Sequence, residues 1–266
     1  MRLYATVAAG GFRRHATYRV ATAAGVFTNT VFGFVLSYTY IALWDARPTL
    51  GGYGMGDALA YVWIGQALIT VCGLMGGGFE EELIERIRTG DIAVDLFRPV
   101  DLQTWWFSAN LGRAAYQLLG RGVVPMVFGA LVFDLTLPSR PWTWLAFLGS
   151  VALGSVVSFA IWYLVAMSAF WLLDGQGVLQ VAWLGGLFFS GMMLPLNVFP
   201  GPLGELARLL PWASMLQVPA DVYLERYEGW GLLGAYAFQA GWAVVLLGAG
   251  RVAQGAATRK VVVQGG

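Results

Sequence analysis

Six apolar stretches, at about residues 20–44, 58–78, 105–133, 142–173, 178–194 and 232–250, leave this chain few ways to fold. An α-helix needs ~17–25 such residues to cross the hydrocarbon core of a bilayer. Within that core every backbone polar group must find its partner inside the protein, which admits helices and closed barrels. Runs this long and this continuously apolar suit helices. Hydrophobic residues make up 58% of the 266 residues and charged residues only 12%, about half the share that soluble domains carry. The expected fold is therefore all-α: a polytopic membrane protein with six transmembrane helices, residues 20–266, preceded by an N-terminal interfacial segment at 1–19.

Basic residues orient such a chain. An even number of spans places both ends on one side, together with the loop at 79–101. That side holds Arg2, Arg13, Arg14, Arg19, Arg86, Arg88, Arg98, Arg251, Arg259 and Lys260, against Arg47, Arg140, Arg208 and Arg226 on the other. The asymmetry predicts N-in and C-in, with a cytoplasmic tail at 251–266. The first apolar stretch is too long and starts too late for a cleaved leader, and reads as a retained signal-anchor. Segment 1–19 mixes Leu3, Tyr4, Val7, Phe12 and Tyr18 with arginines. It reads either as an amphipathic helix lying at the headgroups or as a plain basic flank.

Several functions are excluded. A net charge of +1 with scattered basic residues offers nucleic acid no binding stripe. The single cysteine, Cys72, allows no disulfide and no cysteine metal site. No acidic cluster has the spacing of metal ligands. His15, the only histidine, lies outside the spans, so a membrane serine would have no base. Gly54-Met-Gly-Asp57 fits the G-x-G-D string of intramembrane aspartyl proteases, but no second carboxylate in a span can share a proton with Asp57, and a helix N-cap is expected there. A phosphate-binding loop needs a lysine, and the one lysine is Lys260 in the tail, so no ATPase site is expected in this chain.

Against this background one charged passage stands out, at residues 79–101. Leu83, Ile84 and Ile87 share a helical face, with Glu82–Arg86 and Glu85–Arg88 spaced for pairing. Acids crowd the first turn and bases the last, and Gly90 stands at the C-cap position, in accord with the helix dipole. A short helix ending at Gly90 is expected, then a second short segment at 91–97, then a turn at Arg98-Pro99.

The run Gly90-Asp91-Ile92-Ala93-Val94-Asp95-Leu96-Phe97-Arg98-Pro99 resembles the loop after the second span in bacterial ABC exporter permeases of type 2, with their G-x-(I/L)-x-x-x-L-x-R-P pattern. A second resemblance lies in Ser190-Gly191-Met-Met-Leu-Pro195-Leu-Asn-Val-Phe199-Pro200, Leu209-Leu210-Pro211-Trp212 and Val218-Pro219, similar to the segment after the fifth span that re-enters the outer leaflet. The resemblance covers nearly the whole chain. It implies a coupling helix that docks an ATP-binding subunit through Glu81, Glu82, Glu85, Arg86 and Arg88, with Asp91, Asp95 and Arg98 secondary. It also implies a bacterial cell-membrane location, ATP and Mg on the partner subunit, and a second permease copy or a different permease. The same likeness implies export, and the apolar spans are compatible with an amphiphilic or lipid-like substrate, a drug or a lipid-linked glycan. The alternative is a non-transporting membrane scaffold that binds a cytoplasmic partner.

Two further features are legible. Pro195, Pro200, Pro202, Pro211 and Pro219 forbid one continuous helix from Val178 to Tyr223 and set off an outer segment at 195–228, where Leu203, Leu206, Ala207 and Leu210 form a stripe with Glu205 and Arg208 opposite. Short outer helices, re-entrant or looped outside, are expected. Arg113 and Arg121 lie eight residues apart in the third stretch, ~12 Å along a helix and nearly on one face. A charge at that depth costs at least about 2.5 kcal/mol unless it is partnered or reaches water. These arginines are expected to border a gate, to meet lipid phosphate, or to snorkel from a helix extended into the cytoplasm.

Overall fold

The computed structural model describes residues 2–76, 78–172 and 176–259, and these are all-helical apart from turns. In order they form α1 (Arg2–Thr17), α2 (Arg19–Ala46), α3 (Met55–Val71), α4 (Phe79–Thr89), α5 (Ile92–Phe97), α6 (Leu102–Gln117), α7 (Val123–Val132), α8 (Pro141–Ser168), α9 (Gln176–Phe189), α10 (Gly201–Leu209), α11 (Gln217–Tyr223) and α12 (Trp230–Thr258). A π-turn at Leu118–Gly122 joins α6 to α7, so both run as one rod from residue 102 to 132. The turn has a cause in the sequence: Pro125 has no N–H to give the carbonyl of Arg121, and its ring crowds that carbonyl.

Among the described residues four rods are long and apolar enough to cross a bilayer: Arg19–Ala46, Leu102–Val132, Pro141–Ser168 and Trp230–Thr258. The other two apolar helices are shorter, α3 with 17 residues and α9 with 14, or roughly 25 Å and 21 Å at 1.5 Å per residue. The second stretch, expected over 58–78, thus stops as a helix at Val71. Gly73 and Gly76 then take φ of +52° and +97° and turn the chain. Gly73, which with Gly77 reads in the sequence as a G-x-x-x-G pair for close helix approach, lies in this turn and not in a helix; Gly77 lies outside the described residues.

α3 is the centre of the bundle. Every residue from Ala58 to Leu68 is buried, as expected of a helix that is apolar all round. Its Trp63 ring fills the space left by Gly33 of α2 and Gly129 of α7, where any Cβ would collide with the indole. α2 presents Asn29, Gly33, Ser37, Tyr40 and Trp44 to the core, one stripe at helical spacing. Asp57 accepts a hydrogen bond from the backbone N–H of Gly54 at 3.1 Å at the start of α3, the half of a capping box that an N-cap glycine, having no side chain, allows. The G-x-G-D string is thereby accounted for as a helix start.

Residues 2–17 do form an amphipathic helix, and a protein surface holds it. α1 lies along α6, where Gly11 faces the Ala109 carbonyl and Gly112 faces the Ala8 carbonyl so closely that neither glycine could carry a Cβ. Phe12 meets the Tyr116 ring edge-on at 5.4 Å.

The prolines divide 195–228 into short helices. α11 is buried along its whole length against α8. In α10 the buried residues are Gly204 and Ala207, while Leu203, Leu206 and Leu209 face outward. Of the stripe Leu203, Leu206, Ala207 and Leu210, Ala207 is buried while Leu203 and Leu206 face outward, because the small side of α10 at Gly204 fits closely against Leu196 and Phe199.

Candidate functional site

The charged passage folds as two helices. α4 carries Glu80, Glu81 and Glu82 in its first turn and Arg86 and Arg88 in its last, and ends at Gly90 with φ +84°, its N–H donating to the Ile87 carbonyl. Phe79 and Leu83 are its buried anchors. Phe79 stacks on Phe159 of α8 at 5.0 Å and leans on Trp106 of α6 at 6.2 Å. The loop is thus bolted by its apolar side to two long rods, those of α6 and α8.

α5 turns back beside α4 and changes the pairing. Asp95, buried, accepts from Arg86 Nε at 2.5 Å and pairs with Arg98 at 3.2 Å. The hydrogen bond to Asp95 raises the Arg86 guanidinium pKa further above its ordinary value against partial burial. The expected Glu82–Arg86 pair does not form. A charge is better placed beside a carboxylate held away from water than beside an exposed one. Glu82 turns instead to Arg14 of α1 at 3.0 Å. The Glu85–Arg88 pair does form, at 2.9 Å on an exposed edge.

The outward surface follows. Glu81, Glu85, Arg88, Asp91 and Arg98 are exposed, whereas Arg86 and Asp95 are spent on holding α5 to α4. Two apolar residues missed in the sequence join this surface: Val94 and Phe97, 58% and 77% exposed. Their signal was present, since Val94 and Phe97 are spaced i,i+3 opposite Ile92 and Asp95. Beside Phe97 a groove of about 360 Å³ runs between α5 and the last turns of α12, floored by Ala93, Leu96 and Leu102 and bounded by Gln254 and Thr258.

The loop joins the core helix through a capped end. Arg113 is buried and points at the terminus of α3, donating to the carbonyls of Thr70 at 2.6 Å and Val71 at 3.4 Å, and to Asn110 Oδ1 at 2.8 Å. Carbonyls at a helix C-terminus have no partner within the helix, and a cation there also meets the negative end of the dipole. Buried Glu80 lies within electrostatic reach of the same guanidinium. Trp162 Nε1 donates to the Gly73 carbonyl at 2.8 Å and fixes the turn that follows. The chain passes from α3 to α4 through a junction clamped by α6 and α8.

These features, an apolar bundle and an acidic two-helix loop bolted to it, coincide with a family assignment. The family model described as ABC-2 family transporter protein matches residues 27–265. The chain belongs to the ABC-2 family of transporter proteins. Proteins of this family are membrane permease subunits that lack an ATPase site of their own and work with an ATP-binding subunit. A comparison with curated protein sequences gives no match.

Within this ABC-2 permease Arg113 and Arg121 meet different neighbours. Arg113 caps α3, while Arg121, in the π-turn, lies over Gly25 of α2, where a side chain would overlap its guanidinium. The extra residue in the π-turn separates directions that eight residues of plain helix would keep closer together. Among the described residues no group of three or more His, Cys, Asp or Glu is placed to hold a metal.

Proposed function

We propose that this chain is the permease subunit of an ATP-driven exporter, with six spans and both termini in the cytoplasm of a bacterial cell. It pairs with a second permease, identical or different, and two ATP-binding subunits bind ATP and Mg. α4 and α5 form the docking element, with Glu81, Glu82, Glu85, Arg88, Asp91 and Arg98 as its polar rim and Val94 and Phe97 as its apolar centre. An apolar centre within a polar rim is the usual anatomy of a stable protein contact.

The observation that carries this reading is the attachment of the loop. Phe79 reaches α6 and α8, and the α3 junction is held by Arg113 and Trp162, so a push on α4 is delivered to three helices of the bundle. Nucleotide binding can then favour one arrangement of the spans over another, provided the cassettes contact the two arrangements differently. Substrate, taken to be an amphiphile, a lipid-like molecule or a drug, would cross between the paired permeases.

The test is co-expression with the ATP-binding subunit, followed by purification and measurement of ATP hydrolysis. Replacing Val94 and Phe97 by Ser should abolish co-purification, and replacing Glu81 and Glu85 by Gln should weaken it. A Val94/Phe97 variant that retains both the partner and its stimulated hydrolysis would sink the reading.

A further inference from the structure

At the end of the bundle opposite the charged loop, a cavity of about 660 Å³ opens between α10, α11 and the first turns of α12. Arg208 and Arg226 line it. Both are fixed in place. Arg208 donates from Nε to the Gly204 carbonyl and from a terminal nitrogen to Asn197 Oδ1 at 3.3 Å. Arg226 lies over the Tyr53 ring at 4.4 Å and donates to the Gly52 carbonyl. Among the described residues neither guanidinium is paired with a carboxylate. Each keeps at least one terminal nitrogen uncommitted.

One acid shares the cavity wall, Asp221, and its oxygens are taken. It accepts from Tyr53 Oη at 2.6 Å and from Gln217 Nε2 at 2.9 Å, and burial holds its carboxyl above its ordinary pKa. Two preset guanidiniums thus face a site whose one carboxylate offsets them only in part. The opposite wall is different: Gly231, Gly234, Ala235 and Phe238 of α12 are small or apolar. Beside them Trp230 and Leu233 are 87% and 57% exposed, presenting an apolar outer surface.

A pair of planar cations with free N–H groups suits a phosphate, whose oxygens accept several charge-assisted bonds. A glycine-lined apolar wall next to it suits a hydrocarbon chain. We propose that this cavity binds the phosphate headgroup of an anionic amphiphile, with Arg208 and Arg226 on the phosphate and the α12 wall against the apolar part. Binding here is a property of the permease chain alone, so it stands or falls separately from docking of an ATP-binding subunit.

The experiment uses the purified full chain in phosphatidylcholine nanodiscs, without any ATP-binding subunit. Short-chain phosphatidic acid, short-chain phosphatidylcholine and inorganic phosphate are titrated by microscale thermophoresis. Phosphatidic acid should bind at least about tenfold more tightly than either other probe, and Arg208→Gln should weaken it about tenfold, the usual consequence of one lost charge-assisted bond. Arg226→Gln should do the same and Arg226→Lys should recover part of the loss. Because Arg208 is exposed and bonds locally, its variant folds even if the Arg226 variants do not. Equal binding of the acidic and zwitterionic lipids, or no change in Arg208→Gln, overturns the proposal. Inorganic phosphate binding as tightly as phosphatidic acid overturns it too, since the α12 wall would then contribute nothing.

Discussion

Replacing Asp95 by Ala should release α5 from α4. Asp95 is 6% exposed and is the carboxylate that Arg86 and Arg98 share, at 2.5 Å and 3.2 Å. Removing one member of a fully buried pair costs about 3–5 kcal/mol. Here the arginine side chains retain 29% and 45% of their exposure and can turn to water, which reduces the loss to roughly 1–3 kcal/mol. The Glu85–Arg88 pair is the internal control: at 55% and 70% exposure its loss should cost no more than about 1 kcal/mol. Hydrogen exchange of the α5 amides reads the difference directly. Asp95→Ala should speed their exchange by roughly tenfold or more, because each 1.4 kcal/mol is a factor of ten in an opening equilibrium. Glu85→Ala should leave α5 within a few-fold of wild type. Equal protection of α5 in the two variants would refute the claim that Asp95 holds the docking surface in shape.

Other consequences follow from the same geometry. Gly112→Ala should push α1 off α6, because a methyl there meets the Ala8 carbonyl; a loss of about 1–3 kcal/mol and earlier proteolytic cleavage of residues 1–17 are expected. Arg113→Met keeps most of the side chain's bulk but strips the cap from Thr70 and Val71, so the melting temperature of the purified protein should fall with a loss of about 3 kcal/mol. Glu225 ties residues 139–143 to the segment after α11, accepting from Ser139 and Thr143 hydroxyls at 2.5 and 2.6 Å, and these bonds lower its pKa from 4.5 to about 2. A carboxyl depressed in the folded state stabilises above its unfolded pKa and loses that contribution as pH falls through the folded one. The melting-temperature gap between wild type and Glu225→Gln should therefore be constant from pH 6 to 8 and close between pH 4.5 and 2.

Much of the architecture was legible in the residues because membrane helices must be long, apolar and internally hydrogen-bonded. Gly90 and Pro195 to Pro219 mark breaks by backbone chemistry alone, and each falls where the chain turns or starts a short helix. Local pairing was legible only where both partners stay on one helix, as with Glu85 and Arg88. The Arg86–Asp95 bond depends on how α5 folds back, which no i,i+4 rule contains. The end of α3 was hidden for the same reason: Cys72-Gly73-Leu74 reads as more apolar span, and the cap that stops the helix comes from Arg113, forty-three positions past Thr70. The roles of Glu82 and Arg14 were likewise split between two segments that meet only in three dimensions.

The docking of an ATP-binding subunit on α4 and α5 is tested most directly by site-directed cross-linking. Cys72 is fully buried and is the only cysteine, so Phe97→Cys supplies one accessible thiol. With a short thiol-to-amine cross-linker and the co-expressed ATP-binding subunit, Phe97→Cys should give a permease–ATPase adduct, while Leu209→Cys at the opposite end should give none. An adduct from Leu209→Cys with none from Phe97→Cys would contradict the account.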